Sequence, residues 1–123
     1  MLVSMDNRRK LLNVTRVFEG SVNSAQFNFR IAVQQALRDN ATAVVMAHNH
    51  PNGFAIPSTA DVDTTRQFAE VLRLMGIRLL DHLIVSDDDF VSMAETPETA
   101  EIFRNTVSGR AAAVSDGDDP IEE

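Results

Sequence analysis

The 123-residue chain has no cysteine, which excludes a disulfide scaffold, a thiol nucleophile and any zinc or iron–sulfur site built on thiolates. Lysine occurs once, at Lys10, and the other ten basic residues are arginines scattered along the chain. Aromatic residues make up only 6% of it. Scattered arginines and few aromatics form no basic footprint, so sequence-specific nucleic-acid binding by this chain alone is not expected. No apolar run approaches the roughly 18 residues of a membrane span. Residues 1–6 lack the basic region and long apolar stretch of a signal peptide. These exclusions leave a soluble cytoplasmic protein as the expectation.

What is present suits one domain with a core of its own: 44% of the residues are hydrophobic. The net charge of −7 is unevenly spread. Residues 111–123 carry five acids and no base, which leaves the remainder at a net −2. That segment, AAAVSDGDDPIEE, has no apolar periodicity and is expected to be a disordered acidic tail. The expected domain covers residues 1–110.

The apolar pattern alternates between strand and helix periods. Residues 2–5 read as a strand, residues 6–9 as a turn, and Leu12, Val14, Arg16 and Phe18 as a second strand closed by Gly20, making a hairpin. Ile31, Val33, Ala36 and Leu37 predict a helix over residues 31–38. Residues 42–47, TAVVMA, form the continuous apolar run of a central buried strand. Residues 51–57, with two prolines and a glycine, make a loop. Ser58 is a good N-cap for a second helix, with Asp61 at its N3 position. Val62, Phe68, Val71, Leu72 and Met75 mark that helix's buried face, and Gly76 its stop. Strands over residues 77–85 and 90–93 follow, then a short helix over 99–107. The order β-β-α-β-α-β-β describes an α/β fold, a mixed central sheet flanked by helices.

The chemistry gathers where the central strand ends. His48 and His50 are two apart, so both rings project from one face. The punctuated loop is long enough to return Asp61, in the first turn of the second helix, over that strand end. Two imidazoles and a carboxylate are a common ligand set for catalytic zinc, with a fourth position left for water. Each part has a blander reading. A lone His-x-His is often a surface pair, and Ser58 or Asp61 alone is more often a capping residue. The joint pattern favours the metal.

The string His48-Asn49-His50-Pro51-Asn52-Gly53, followed by Pro57-Ser58 and Asp61, resembles the JAMM motif. More narrowly, the chain resembles the RadC branch of the JAB/MPN metalloprotease-like domains. Gly20, Asn23-Ser24, Arg30, Gly76-Ile77, Leu80-Asp81-His82 and Val91-Ser92 are further RadC-like landmarks. The resemblance implies a cytidine-deaminase-like sandwich, one zinc ion per chain on His48, His50 and Asp61, and Ser58 as a catalytic residue. Ser58 would steady a developing oxyanion or orient the zinc-bound water. The implied reaction is hydrolysis of a peptide or isopeptide bond, with a peptide or protein as the expected partner.

The chain departs from the family pattern in two places. Asn28-Phe29-Arg30-Ile31 stands where the family commonly has His-Pro-Arg-Glu. The family's general base is a glutamate on a strand well ahead of the His-x-His, and its matching position falls before Met1, as if the domain were truncated at its N-terminus. The activity is therefore expected to be weak. Glu19 is the only glutamate upstream of His48, and it matches a variable position rather than the base. His82 is read as a hydrogen-bonded structural histidine in preference to a partner of the metal site. Two other readings stay open: a RadC-type DNA repair or recombination factor, which the charge distribution does not support, and a non-catalytic JAB-like scaffold. The sequence does not specify an oligomeric state.

Overall fold

The computed structural model describes residues 1–17, 27–50 and 55–104. Its strands are β1 (Leu2–Met5), β2 (Leu11–Thr15), β3 (Ala43–Asn49), β4 (Arg78–Val85) and β5 (Phe90–Ser92). Two helices, α1 (Phe29–Arg38) and α2 (Thr59–Leu74), and two 3-10 turns, Met93–Glu95 and Ala100–Phe103, complete the described elements. The strands form one mixed sheet in the order β2-β1-β3-β4-β5. β3 and β4 are parallel, joined through α2, while the other neighbours are antiparallel. The α/β class and the element order agree with the sequence reading.

β3 is the middle strand, and Ala43, Val44 and Met46 are completely buried. One face of the sheet carries Leu2 and Ser4 of β1, Val44, Met46 and His48 of β3, and His82 and Ile84 of β4, all buried. Both helices pack there. Ser4 donates to Asp39 at the end of α1, and Thr65 of α2 meets His82. Val3, Val45, Ala47 and Leu83, on the opposite face, are only half-buried. Phe68 and Leu72 of α2 are fully buried in the core beside Leu2, Val44 and Met46. Each such side chain contributes about 2 kcal/mol of hydrophobic stabilisation.

Several boundaries differ from the sequence reading, each for a local reason. α1 starts two residues early because the Asn28 side chain accepts the Ile31 N–H as an N-cap. Its inward stripe is Phe29, Ala32, Val33 and Ala36, so Ile31 and Leu37 face outward. Met75 is exposed rather than buried because α2 ends at Leu74, with Gly76 in the left-handed conformation (φ 76°) that stops it. The second strand of the hairpin alternates in sequence but not in burial, since β2 is a sheet edge with Leu11, Leu12 and Val14 exposed. β5 stops at Ser92, whose hydroxyl caps the following 3-10 turn. The described part of the expected last helix, over 99–107, holds a 3-10 turn at Ala100–Phe103, and residues 105–107 lie outside the described residues. Phe18, Glu19 and Gly20, the Pro51–Gly53 portion of the loop and the expected acidic tail lie outside the described residues.

Candidate metal centre

The site stands at the carboxyl ends of the parallel strands β3 and β4, beside the N-terminus of α2, where open α/β sheets usually place their ligands. His48 is the penultimate residue of β3, and the His50 N–H continues the pairing by donating to the Val85 carbonyl at 2.9 Å. The two rings sit 5.0 Å apart. Opposite them, α2 opens with a capping box. The Asp61 N–H donates to Ser58 Oγ at 3.0 Å, and the Ser58 N–H donates to Asp61 Oδ2 at 2.8 Å. That pair fixes the Asp61 carboxylate at a helix N-terminus, where the dipole favours its charge.

The ligand-bearing atoms of His48, His50 and Asp61 all lie within 4.8 Å of one another, so the three could hold a metal ion. His50 Nε2 is 2.9 Å from Asp61 Oδ2, and His48 Nε2 is 3.4 Å from Asp61 Oδ1. The side chains of His48 and Asp61 are each only 1% exposed, against 15% for His50, so the cluster opens to solvent on the His50 side. His48 Nε2 and Asp61 Oδ1 are both buried without a hydrogen-bond partner. Burial, with the neighbouring His50 adding to it, pushes the His48 ring down to about 4 despite the opposing charge of Asp61. At neutral pH this imidazole is therefore uncharged, the state in which histidine binds metals.

A second set of contacts lies behind the cluster. His48 Nδ1 is 2.8 Å from His82 Nε2, and His82 Nδ1 is 2.6 Å from Thr65 Oγ1. The Thr65 hydroxyl donates to the Asp61 carbonyl at 2.6 Å. His82 is completely buried, and that burial, with His48 beside it, holds its ring down at about 3. All three histidines of the chain thus belong to one assembly.

The path of β4 explains why His82 faces the site. The register with β3 runs Val44–Leu79 and then Val45–Asp81, which leaves Leu80 as an inserted residue. This bulge pairs His82 with Met46, on the face that also carries His48. Asp81 secures the kink. Its Oδ1 accepts the N–H groups of His82 at 2.7 Å and Ala94 at 2.9 Å, and its Oδ2 accepts the Ser92 hydroxyl at 2.5 Å.

The structure therefore brings together His48, His50 and Asp61, with Ser58 exposed at the lip of the group. Asp63 is exposed, and Asp6 accepts the Arg8 and Lys10 N–H groups in the hairpin turn. Sequence reasoning missed Thr65, although its spacing of four residues from Asp61 put the hydroxyl within reach of that carbonyl.

A mixed sheet with a His-x-His at the end of its central strand, facing an aspartate in a helix cap, defines an α/β domain with a cluster that could hold a metal ion. Residues 1–101 match the RadC-like JAB domain, and the chain belongs to that family. It is similar to the UPF0758 protein of Cellvibrio japonicus, 47% identical over 91 residues that cover 74% of this chain and 41% of that protein. The UPF0758 protein of Marinobacter nauticus is 44% identical over 91 residues, covering 74% of this chain and 41% of that protein. That of Clostridium perfringens is 36% identical over 95 residues, covering 77% of this chain and 42% of the relative. The chain spans about two fifths of the length of these curated relatives. Among the described residues, no helix is long and apolar enough to cross a membrane.

Proposed function

We propose that the chain binds one zinc ion through His48, His50 and Asp61 and is a JAMM-type hydrolase domain acting in the cytoplasm on peptide or isopeptide bonds of a protein substrate. The observation that carries the metal reading is the pair of orphaned atoms, His48 Nε2 and Asp61 Oδ1, buried and 3.4 Å apart. Leaving two buried polar atoms unpaired is costly, and a cation held between them satisfies both. The donor set of two imidazoles and one carboxylate suits zinc and leaves a coordination position open. Bound there, zinc supplies Lewis acidity, lowering the pKa of water and polarising a carbonyl.

The chain's own groups divide the remaining tasks. The capping box aims the Asp61 carboxylate, and Ser58 Oγ, which accepts from the Asp61 N–H, keeps its own proton to donate toward a substrate oxygen at the lip. His50, on the solvent side, borders the route of entry. Among the described residues, the metal-competent group contains a single carboxylate, Asp61. A carboxylate that serves as a ligand is a poor general base, so Asp61 is not expected to fill that role as well.

The test is metal content after purification without chelator, followed by hydrolysis of a fluorogenic peptide and an isopeptide-linked substrate. One zinc per chain is expected, lost in His48→Ala and in Asp61→Ala. Metal that persists in the double variant His48→Ala/His50→Ala would overturn the site. A zinc-loaded chain and longer relatives that all leave both substrates intact would favour the scaffold reading.

A further inference from the structure

We infer that Thr65 and His82 are positioning residues that hold His48 in the one tautomer able to bind a metal, an inference that rests on the metal reading above. The relay begins at an atom that can only accept. The Asp61 carbonyl is 2.6 Å from Thr65 Oγ1, so the single hydroxyl proton of Thr65 lies on that contact. Toward His82 Nδ1, also 2.6 Å away, Thr65 Oγ1 is then left with lone pairs alone, and the ring must donate. His82 is completely buried, and its two ring nitrogens are engaged by a hydroxyl and another imidazole rather than by a carboxylate. It therefore stays neutral with its one proton on Nδ1, and its Nε2 carries a lone pair. That lone pair faces His48 Nδ1 at 2.8 Å, so His48 must supply the proton there. A neutral His48 with its proton on Nδ1 has its lone pair on Nε2, the atom that faces Asp61 Oδ1.

Met93 Sδ, at 4.0 Å from Thr65 Oγ1, is a distant competitor for the hydroxyl proton beside the Asp61 carbonyl at 2.6 Å, and the direction is set from the main chain of one metal ligand to the side chain of another. Without it, His48 could place its proton on Nε2, donate to Asp61 Oδ1 and close the site on itself. The relay prevents that competing bond. A ligand histidine ordinarily gives its second N–H to a carboxylate or a carbonyl. Here another histidine receives it, and a threonine decides which way that histidine points its proton. The bulge at Leu80 and the four-residue step from Asp61 to Thr65 are the two backbone features that make the relay possible.

Two measurements test this. In the metal-free chain with ¹⁵N-labelled histidine, ring nitrogen shifts are expected to show His48 and His82 both protonated on Nδ1. His48 protonated on Nε2 would overturn the inference. In chelator-competition titrations with zinc, Thr65→Val, nearly the same shape without the hydroxyl, is expected to bind about 10- to 100-fold more weakly, with Thr65→Ser restoring most of the loss. His82→Phe is expected to weaken zinc by a similar factor. Thr65→Val binding zinc as tightly as the native chain, with its ring shifts unchanged, would also overturn it. If the native chain takes up no zinc while both rings carry their protons on Nδ1, the metal reading fails and the tautomer lock stands.

Discussion

Ser58 and Asp61 hold each other across the first turn of α2, each backbone N–H donating to the other's side chain, at 2.8 and 3.0 Å. The same two residues thus start the helix and shape the metal cluster. Structural and functional roles can be separated because they use different atoms. Ser58 acts on the fold through the lone pair of Oγ, and would act on a substrate through its proton.

Replacing Ser58 by alanine removes both. The lost cap is expected to lower stability by about 1 kcal/mol, read by denaturant unfolding of the metal-free chain. Zinc stoichiometry is expected to stay at one per chain, since Ser58 is not a ligand. Under the proposed JAMM-type reaction, whatever hydrolysis the native chain shows is expected to drop by about 10²-fold or more in this variant. A Ser58→Ala chain that loses its metal would show that the cap, rather than the ligands alone, holds the site together.

Asp61→Asn probes the ligand with little change of shape. The asparagine side-chain oxygen can still accept the Ser58 N–H, so the helix start is preserved. The negative charge that would balance a metal is gone. The expected outcome is loss of stoichiometric zinc with stability of the metal-free chain within about 1 kcal/mol of native. Full zinc occupancy in this variant, measured by elemental analysis, would remove Asp61 from the ligand set.

The cluster of His48, His50 and Asp61 was legible in the sequence because each member rests on a short, rigid relation. A two-residue step on a strand puts His48 and His50 on one side, and S-x-x-D before an apolar helix places Asp61 in a cap. The central position of β3 followed from its unbroken apolar run. The relay behind the ligands was not legible. The bulge at Leu80 sets which of Asp81 and His82 faces His48, and hydrophobic pattern does not register an inserted residue inside a buried strand. Thr65 reads as one more half-polar position on a helix until the strand behind it is in place. β2 shows the converse: its alternation is clear, yet at the sheet edge it buries neither face among the described residues.

Glu19→Gln checks the assignment of the general base. Glu19 lies outside the described residues. The variant is expected to keep its zinc and whatever slow hydrolysis the chain shows. A general base typically contributes about 10²- to 10⁴-fold in rate. A drop of that size in single-turnover hydrolysis by Glu19→Gln would make Glu19 the base.

The buried histidines also give the metal-free chain a defined response to acid. Burial holds His48 at about 4 and His82 at about 3, against 6.5 for an unperturbed ring. Both folded values are depressed, so the unfolded chain takes up protons that the folded chain refuses. The stability associated with these rings is fully present above about pH 6.5. It is lost as the pH falls from there toward the folded values. Each unit of difference is worth about 1.4 kcal/mol, so the loss reaches the order of a few kcal/mol by pH 5 and continues to about pH 3, the folded value of His82. Denaturant unfolding of the metal-free chain from pH 7.5 to 5 is expected to show this decline. His82→Phe, which has no ring nitrogen to protonate at that position, is expected to show a shallower one. Stability unchanged between pH 7 and 5 would mean that these imidazoles take up protons in the folded chain as readily as in the unfolded one, and that burial does not hold them neutral in acid.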